Sequence, residues 1–386
     1  MNRSSNTKLL LVSNQDWALY NFRLPIARVL REHGCDVVLV CPWGEYAPLL
    51  EAEGFRVIDW RLRRRSLNPV TEAAAINRLT RIYRQEAPHA VHHFTIKPNL
   101  YGTIAARRAG VPVIMNSWEG LGFIFTPSLR ARAMRAFLLP LMRRAFRTER
   151  LWTTFVNREN AGLFEQLRLT NPDRVQLFPS VGVDTDRFTP AEEHHADTPV
   201  VLMASRLLWD KGTSEFVEAA RLLCQKGVKA RFWLCGSPDK GNPRCIPERT
   251  LNRWRKEGFV EMLGQRRDMP DLLRQADVGV LPSYHEGIPT ILLEAAAAGL
   301  PLVATDVQGC RLVVRDGTNG LLVQPRDATA LAGALHRLLQ DEALRKRFGL
   351  ASRRIAVEEF STPVIVGKYL ETYRQAGILG QAVHHG

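Results

Sequence analysis

Short apolar runs alternate with amphipathic stretches along almost the whole chain, and this alternation limits the fold more than any other feature. Helical segments such as residues 20–32 lie between the runs, which indicates right-handed crossover units and parallel sheets. The strand-like runs occupy residues 8–12, 35–41, 55–59, 89–94, 111–116, 152–156 and 175–178, then 200–204, 230–235, 259–263, 278–281, 302–304 and 320–323. We predict an α/β fold of two doubly wound, Rossmann-like domains.

The chain is too long for one ordinary core, because its 386 residues match two domains of common size. A polar stretch with proline at both ends, residues 190–199, is the best candidate linker. We therefore predict domains at residues 1–190 and 191–362. In such folds substrates bind at the carboxyl ends of the strands, here in a cleft between the two domains.

The charge balance predicts a polyanionic partner, since the chain has 53 Lys and Arg but only 39 Asp and Glu, a formal net charge of +14. Residues 128–150 carry seven arginines interleaved with apolar side chains, and residues 61–65 form a second basic cluster. Such a helix is typical of an anionic membrane surface, although an ordinary helix on the sheet, kinked at Pro140, remains open. No nucleic-acid recognition motif accompanies the charge, so we do not expect nucleic acid as a partner.

The cysteines and the chain start favour a cytoplasmic protein. Six cysteines show no Cys-x2-Cys pair and no metal-ligand spacing, and they are expected to be reduced thiols. The apolar run at residues 9–12 is too short for a signal peptide, and no segment approaches the ~20 apolar residues of a membrane span.

Two carboxylates eight residues apart, Glu286 and Glu294, stand on either side of a predicted helix start. Pro289 suits the first helical position and Gly299 suits the position just past the last turn. A helix N-terminus presents unpaired amides and partial positive charge, which favours a diphosphate. Glu294 lies one turn further in, where it can accept hydrogen bonds from two neighbouring sugar hydroxyls.

Two cations, Arg206 and Lys211, follow the first strand of the second predicted domain and precede a turn at Gly212. The same place carries the phosphate loop in many doubly wound sheets. A guanidinium and an ammonium there can offset the charge of a leaving diphosphate. The alternative is a pair of solvated surface cations.

These segments resemble the motifs of the retaining, GT-B-fold glycosyltransferases of family GT4. Residues 283–294 resemble the family's E-x7-E motif, and residues 205–212 (SRLLWDKG) its Arg-x4-Lys-Gly phosphate signature. Residues 259–264, 304–310 and 316–320 resemble further family segments in the usual order. The resemblance implies a GT-B fold in which a C-terminal segment, residues 363–386, forms a helix over about 363–376 that crosses back to the first domain.

The resemblance also implies residue roles and a mechanism. Glu294 would bind the donor ribose, Glu286 would lie near the donor sugar and its phosphates, and Arg206 and Lys211 would stabilise the leaving diphosphate. Further donor contacts are implied for Gly287, Ile288, Pro289, Thr290, Gly236 and Gly264. No protein nucleophile, metal or cofactor is implied, because the nucleotide sugar is a co-substrate and a phosphate oxygen takes the acceptor proton.

The first predicted domain departs from the family in two places. Many members have glycines after the first strand, whereas this chain has Asn14, Gln15 and Asp16, whose side chains would contact the acceptor or the leaving phosphate. Many members also have a histidine where this chain has Glu119. That carboxylate could contact a sugar hydroxyl, serve as a proton acceptor, or be an ordinary acid at a helix N-terminus.

One block of the first domain resembles a narrower subgroup. His93 precedes residues 95–102 (TIKPNLYG), in which Lys97 and Asn99 are candidate acceptor contacts, and Gly120 to Phe123 follow later. Together they resemble bacterial enzymes that add sugars, often N-acetylhexosamines, to polyprenyl-diphosphate-linked glycans.

The sequence therefore predicts a glycosyltransferase that moves a sugar from a nucleotide sugar, UDP-linked by resemblance, to a lipid-linked glycan. It would work at the inner face of the cytoplasmic membrane as a peripheral protein. One alternative is a nucleotide-sugar 2-epimerase of the same fold, which would need only the donor. Another is a non-catalytic basic membrane- or nucleic-acid-binding module, against which the intact Arg206, Lys211, Glu286 and Glu294 argue.

Overall fold

Two all-parallel sheets form the framework of the computed structural model, which describes residues 7–63, 66, 68–121, 123–125, 129–192 and 198–380. One compact unit comprises Met1–Ser180 with Ile365–Gly386, and the other comprises Val181–Val364. Part of the basic cluster at residues 61–65, Gly122, residue 128, half of the expected linker and the end of the C-terminal segment lie outside the described residues. Within the described residues, no helix is both long and apolar enough to cross a membrane.

The first unit contains a seven-stranded sheet in the order β3-β2-β1-β4-β5-β6-β7. Its strands are β1 (Lys8–Val12), β2 (Asp36–Cys41), β3 (Arg56–Asp59), β4 (Ala90–Phe94), β5 (Val113–Trp118), β6 (Leu151–Phe155) and β7 (Val175–Leu177). Its helices are α1 (Asp16–Ala18), α2 (Leu24–Glu32), α3 (Ala47–Ala52), α4 (Pro69–Glu86), α5 (Thr103–Ala109), α6 (Leu129–Phe146) and α7 (Arg158–Gln166). Short π-helical turns, Leu19–Arg23 and Pro98–Gly102, precede α2 and α5, and 3-10 turns occur at Phe123–Phe125 and Pro172–Arg174.

The second unit contains a six-stranded sheet in the order β10-β9-β8-β11-β12-β13. Its strands are β8 (Val200–Ala204), β9 (Arg231–Cys235), β10 (Glu261–Gly264), β11 (Val278–Leu281), β12 (Leu302–Thr305) and β13 (Gly320–Val323). Its helices are α8 (Thr213–Gln225), α9 (Glu248–Glu257), α10 (Met269–Arg274), α11 (Thr290–Ala297), α12 (Gln308–Val313), α13 (Ala328–Gln340) and α14 (Glu342–Phe360), with a 3-10 turn at Trp209–Lys211. The last helix, α15 (Thr362–Gln375), contains the boundary between the units.

Alternating side chains of the central strands fill a core on each face of each sheet. In β1, Leu9 and Leu11 pack with α2 and α15, whereas Leu10 and Val12 pack with α4 and α5. The same alternation sends the side chains of β8 to two different clusters. Strands buried on both faces must be apolar throughout, which is why the runs were visible in the sequence.

The structure confirms the predicted fold of two doubly wound sheets, and every predicted strand is present within about two residues. Three details differ. Pro289 is the residue before α11 rather than its first residue, since its backbone is extended. Strand β5 continues to Trp118, so Glu119 follows it directly. The division between the units lies at Ser180, ahead of residue 190, because Val183 and Phe188 belong to the second core.

Candidate functional site

The strongest candidate site lies at the carboxyl edge of the second sheet. Strand β11 lies directly beside β8 in the sheet. The two strands that come next in the chain, β9 and β10, lie on the other side of β8. The strand order reverses at this point, and ligands of doubly wound sheets bind outside such a switch point. The chain leaves β8 towards Arg206 and Lys211, and it leaves β11 towards Glu286.

Backbone contacts hold the segments after β8 and β11 against each other. The Tyr284 amide donates to the Asp210 carbonyl at 2.8 Å, and the Ser283 hydroxyl donates to the same oxygen at 3.2 Å. Gly212 has a φ of +70°, and a Cβ there would lie 2.0 Å from the Pro282 carbonyl oxygen. The turn therefore requires glycine both for its conformation and for this close approach.

This packing brings Lys211 and Glu286 together. The Lys211 Nζ lies 2.5 Å from Glu286 Oε1, and the two side chains are 20% and 10% exposed. A Cβ at Gly309 would meet the Glu286 backbone at 2.5 Å, so the carboxylate stands on a closely packed base. Burial raises the pKa of the neighbouring Cys310 thiol to about 12, and the Glu286 carboxylate adds to that rise. The pair is thus a fixed ammonium and carboxylate beside a neutral thiol.

Arg206 has a different carboxylate partner from Lys211. Its Nη1 donates to Asp239 Oδ2 at 2.8 Å, and its side chain is 56% exposed. Asp239 was not predicted, because nothing in the local sequence pattern marks it. The two predicted phosphate-binding cations are therefore each held by an acid, and Arg206 remains open to a ligand.

Helix α11 begins without a side-chain cap, at Thr290. Within the described part of the chain, the amides of Gly287, Ile288 and Thr290 have no acceptor. Unpaired amides at a helix N-terminus, with the partial positive charge of the helix, suit an anion. The loop between Glu286 and α11 can therefore receive a phosphate.

Glu294 lies in α11 with a half-buried side chain. Burial raises the pKa of its carboxyl to about 7, and the nearby Arg187 guanidinium opposes that rise. Among the described residues, none donates a hydrogen bond to this carboxylate. Buried carboxylates normally have donors, so Glu294 retains acceptor capacity for a ligand.

The two remaining glycines of the predicted donor set pack the ends of β8, β9 and β10 together. The Gly236 amide donates to the Gly264 carbonyl at 2.8 Å. Gly236 has a φ of +142°, and a Cβ there would lie 1.8 Å from the Ser205 carbonyl oxygen. Both glycines lie on the same sheet edge as Arg206; a larger residue at Gly236 would separate the strand ends, whereas Gly264 has a φ of +68° and open space where a Cβ would lie.

Three candidate residues follow β1, and one of them, Asp16, has a structural role. The Asp16 carboxylate accepts hydrogen bonds from the Tyr46 amide at 2.7 Å, the Ala47 amide at 3.1 Å and the Trp17 amide at 2.9 Å. Asp16 therefore holds the start of α3, which corrects its predicted role as an acceptor contact. Asn14 and Gln15 are half-buried in the same loop and stay predictions.

His93 is fully buried and both of its ring nitrogens are engaged. Its Nδ1 donates to Asn116 Oδ1 at 2.8 Å, and the Tyr83 hydroxyl donates to its Nε2 at 2.9 Å. Burial lowers the pKa of His93 to about 4, so the ring is neutral. The predicted acceptor contact does not fit this position, because the ring reaches no surface.

Lys97 and Asn99 are held within the first unit in the same way. The Lys97 ammonium donates to the Arg63 and Ser66 carbonyls at 3.0 and 2.7 Å and to Glu72 Oε2 at 2.7 Å. Asn99 has no exposed surface, and its amide donates to the Ser117 carbonyl at 2.9 Å. Both predictions of an acceptor contact are corrected, since these groups hold the fold together.

Glu119 follows β5 directly, and its carboxylate forms an ion pair with Arg23. Arg23 is 2% exposed and was not predicted, because arginines in amphipathic segments are usually exposed and the sequence gives no signal for an exception. The described ranges contain no group of three or more His, Cys, Asp or Glu side chains that could hold a metal ion.

Comparisons with known proteins agree with this geometry. The family model described as "Glycosyl transferases group 1" matches residues 198–341, and the model described as "Glycosyl transferase 4-like" matches residues 8–153. A crystal structure of a glycosyltransferase from Rickettsia africae has the same fold, with a TM-score of 0.78 and 18% identity over 98% of this chain and 100% of that one.

Two curated relatives cover most of the chain. The N,N'-diacetylbacillosaminyl-diphospho-undecaprenol alpha-1,3-N-acetylgalactosaminyltransferase of Campylobacter jejuni is 31% identical over 94% of this chain and 97% of its own length. The UDP-Gal:alpha-D-GlcNAc-diphosphoundecaprenol alpha-1,3-galactosyltransferase of Escherichia coli is 26% identical over 80% of this chain and 81% of its own length.

Proposed function

The chain belongs to the group 1 glycosyl transferases, and we propose that it moves a hexose or N-acetylhexosamine from a UDP-sugar to a glycan carried on a polyprenyl diphosphate. The observation that carries this proposal is the Lys211–Glu286 pair beside the uncapped start of α11. Both relatives described above are named for sugar transfer to a diphospho-undecaprenol-linked acceptor, and one name specifies UDP-galactose.

The site suits stabilisation of a departing diphosphate. As the sugar leaves, negative charge develops on the phosphate oxygens, where Lys211, Arg206 and the amides before α11 are available. Fixed charges and dipoles of this kind act without reorganising during the reaction. We propose that the acceptor hydroxyl attacks from the face of the leaving group and that a phosphate oxygen takes its proton, so the sugar keeps its configuration.

The donor can be identified by thermal stability. A ligand that binds only the folded protein raises the melting temperature by mass action. We expect UDP-hexoses or UDP-N-acetylhexosamines to raise Tm, and GDP-sugars at equal concentration to raise it less. A protein whose Tm no nucleotide sugar changes would contradict the proposed donor class.

Activity is expected to survive treatment with EDTA. In our proposal the phosphate charge is balanced by Arg206, Lys211 and the start of α11, so the transfer step needs no divalent cation. Turnover would be measured after extensive chelation, with and without added Mg²⁺ or Mn²⁺. Complete loss of turnover that either ion restores would contradict this part of the proposal.

Helix α6 supports a peripheral attachment to an anionic membrane. Leu129, Ala133, Phe137 and Leu141 lie four residues apart on one face, and all are exposed, Leu129 by 80% and Phe137 by 84%. The opposite side packs into the core through Met142, Ala145 and Phe146. Arg132 and Arg144 are exposed on the same helix. An outward apolar stripe beside arginines is typical of an interfacial helix.

Replacing Arg132, Arg135 and Arg144 with glutamine is expected to release the protein from anionic liposomes. Each cation near such a surface contributes about 1 kcal/mol, so the loss is roughly 100-fold in affinity, and it is screened by salt. Arg143 is left unchanged, because its Nε donates to the Leu167 carbonyl at 3.0 Å. Flotation with vesicles of phosphatidylglycerol measures the binding.

A control variant removes the same charge elsewhere. Arg249, Arg253 and Arg255 are exposed on α9, and their replacement by glutamine should leave vesicle binding close to that of the wild type. Turnover of a short-chain acceptor in detergent should persist in both triple variants. Wild-type protein that ignores anionic vesicles at low salt would show that α6 is only a packed helix.

The epimerase alternative has no observation in its favour, since the relatives described above are transferases. The same holds for a non-catalytic module, because Lys211 and Glu286 form an assembled pair. An epimerase would convert the donor without any acceptor, whereas a transferase releases UDP only when an acceptor is present.

A further inference from the structure

A single buried arginine connects the elements around the carboxyl end of the first sheet. Arg23 ends the π-helical turn before α2, is 2% exposed, and donates through Nη1 to the Ser180 carbonyl. Its guanidinium lies over the Phe94 ring, 4.3 Å from the ring centroid, at the end of β4. A charge buried this deeply is costly unless it is paired, so its partner indicates its purpose.

The partner of Arg23 is Glu119, whose Oε1 pairs with Nη2 of the guanidinium. This oxygen is enclosed, whereas the Glu119 side chain as a whole is 28% exposed. One carboxylate oxygen is therefore held by the arginine, while the side chain as a whole keeps some exposed surface. Glu119 follows β5 at the carboxyl edge of the sheet, where doubly wound domains bind their ligands.

The other titratable groups around Arg23 are His92 on β4 and Tyr369 and Tyr373 on α15. His92 is fully buried between the Tyr373 hydroxyl at 2.7 Å and the Ser117 hydroxyl at 2.8 Å. Burial lowers the pKa of His92 well below its usual value and raises the pKa of Tyr373 well above its usual value. His92 and Tyr373 are thus neutral at neutral pH, and Glu119 supplies the negative charge that Arg23 requires.

We propose that Arg23 is a positioning residue that keeps Glu119 ionised and oriented, so that Glu119 accepts a hydrogen bond from a substrate sugar hydroxyl and is not the catalytic base. A neighbouring cation favours the charged form of a carboxylate and weakens it as a proton acceptor. The same cation leaves the second oxygen able to accept a strong, charge-assisted hydrogen bond. This inference rests on the proposed sugar transfer and assigns Glu119 one of its possible roles in it.

The test compares Glu119→Gln, Arg23→Gln and Arg23→Lys at saturating donor, so that the ionisation of Glu294 does not contribute. Glu119→Gln should lower kcat/KM for the acceptor by about 10–100-fold, the range for one charged hydrogen bond. The ratio of wild-type to Glu119→Gln activity should stay constant from pH 6 to pH 9. Arg23→Gln should lose activity mainly when the profile is extended below pH 6, where a carboxylate without a neighbouring cation begins to take up a proton, and Arg23→Lys should restore most of it.

Arg353→Lys provides a matched control. Arg353 also ties backbone carbonyls together, those of Thr185, Phe188 and Ala297, but it does so in the second unit and, among the residues that the structure describes, without a carboxylate partner. Its replacement should lower Tm without changing the shape of the pH profile. Differential scanning fluorimetry on every variant separates folding defects from catalytic ones.

Two outcomes would overturn the inference while leaving the proposed function intact. One is an Arg23→Gln protein that behaves like the control, with a lower Tm and an unchanged pH profile. The other is an inactivation of Glu119→Gln beyond about 10³-fold, together with a wild-type to variant ratio that falls as pH decreases, which is the behaviour of a lost general base. Wild-type protein without transferase activity would instead contradict the proposed function itself.

Discussion

Replacing Lys211 with alanine is expected to lower kcat by about 10²–10³-fold, the usual cost of removing one group that stabilises charge in a transition state. The ammonium is fixed by Glu286 at 2.5 Å, so it is already in place when charge develops on the leaving diphosphate. Steady-state turnover and Tm would be measured on the same preparation. We expect Tm to fall as well, because truncation leaves the largely buried Glu286 carboxylate without its cation, so turnover is measured well below the melting transition of each protein.

A matched control replaces Lys8 with alanine. Lys8 also pairs with a largely buried acid, Glu86, at 3.4 Å, but it lies at the amino end of β1, away from the ligand-binding edge. Its loss should change Tm without changing kcat. An Lys211→Ala protein whose kcat equals that of the wild type would contradict the phosphate role of Lys211.

Replacing Glu294 with glutamine is expected to weaken UDP binding by about 10–150-fold, which corresponds to roughly 1.5–3 kcal/mol for the loss of a charged hydrogen-bond partner. The carboxylate is half-buried and has no donor among the described residues, so two ribose hydroxyls would supply the missing hydrogen bonds. Isothermal titration calorimetry of both proteins with UDP measures the difference. Equal affinities would contradict the ribose assignment.

The raised pKa of Glu294 also predicts how UDP affinity depends on pH. The ionised carboxylate is the better acceptor, so wild-type affinity should rise as pH increases through about 7. UDP itself ionises in this range, but that effect is common to both proteins. The ratio of wild-type to Glu294→Gln affinity should therefore grow between pH 6 and pH 8.

The same shift predicts that the substitution stabilises the protein without ligand. The pKa of Glu294 is about 7 when folded and lower when unfolded, so the folded chain binds more protons between those values. Wild-type stability is therefore lost as pH rises through that window, because the charged group is buried. Above pH 7, the Tm of Glu294→Gln should be higher than that of the wild type. Near pH 4, the two proteins should have nearly the same Tm.

The sheets and the meeting of Lys211 with Glu286 were predictable because their signals are local. Strands buried on both faces need continuous apolar runs. Lys211 and Gly212 belong to a single turn, and Glu286 and Glu294 lie on either side of a single helix start, so each pair can be recognised from a short stretch of sequence. Lys211 and Glu286 meet because parallel strands bring all their carboxyl ends to one edge. The topology alone therefore gave their neighbourhood.

The acceptor side was less predictable because the same residue types serve two purposes there. His93 and Asn99 are polar residues in and after a strand, as ligand-binding residues are, yet both are buried in hydrogen bonds within the unit. Asp16 caps a helix that begins 31 residues later along the chain. Arg23 is buried by contacts with Ser180 and Glu119, which no local pattern reveals.

Transfer of a labelled sugar to a lipid-linked acceptor tests the central claim most directly. The protein would be incubated with UDP-N-acetylhexosamine, labelled in the sugar, and a glycan on a polyprenyl diphosphate, and the products would be separated and their anomeric configuration determined by NMR. We predict a labelled lipid product that retains the α configuration of the donor, with UDP released only when the acceptor is present. Conversion of the donor without acceptor, or an inverted linkage in the product, would contradict the account.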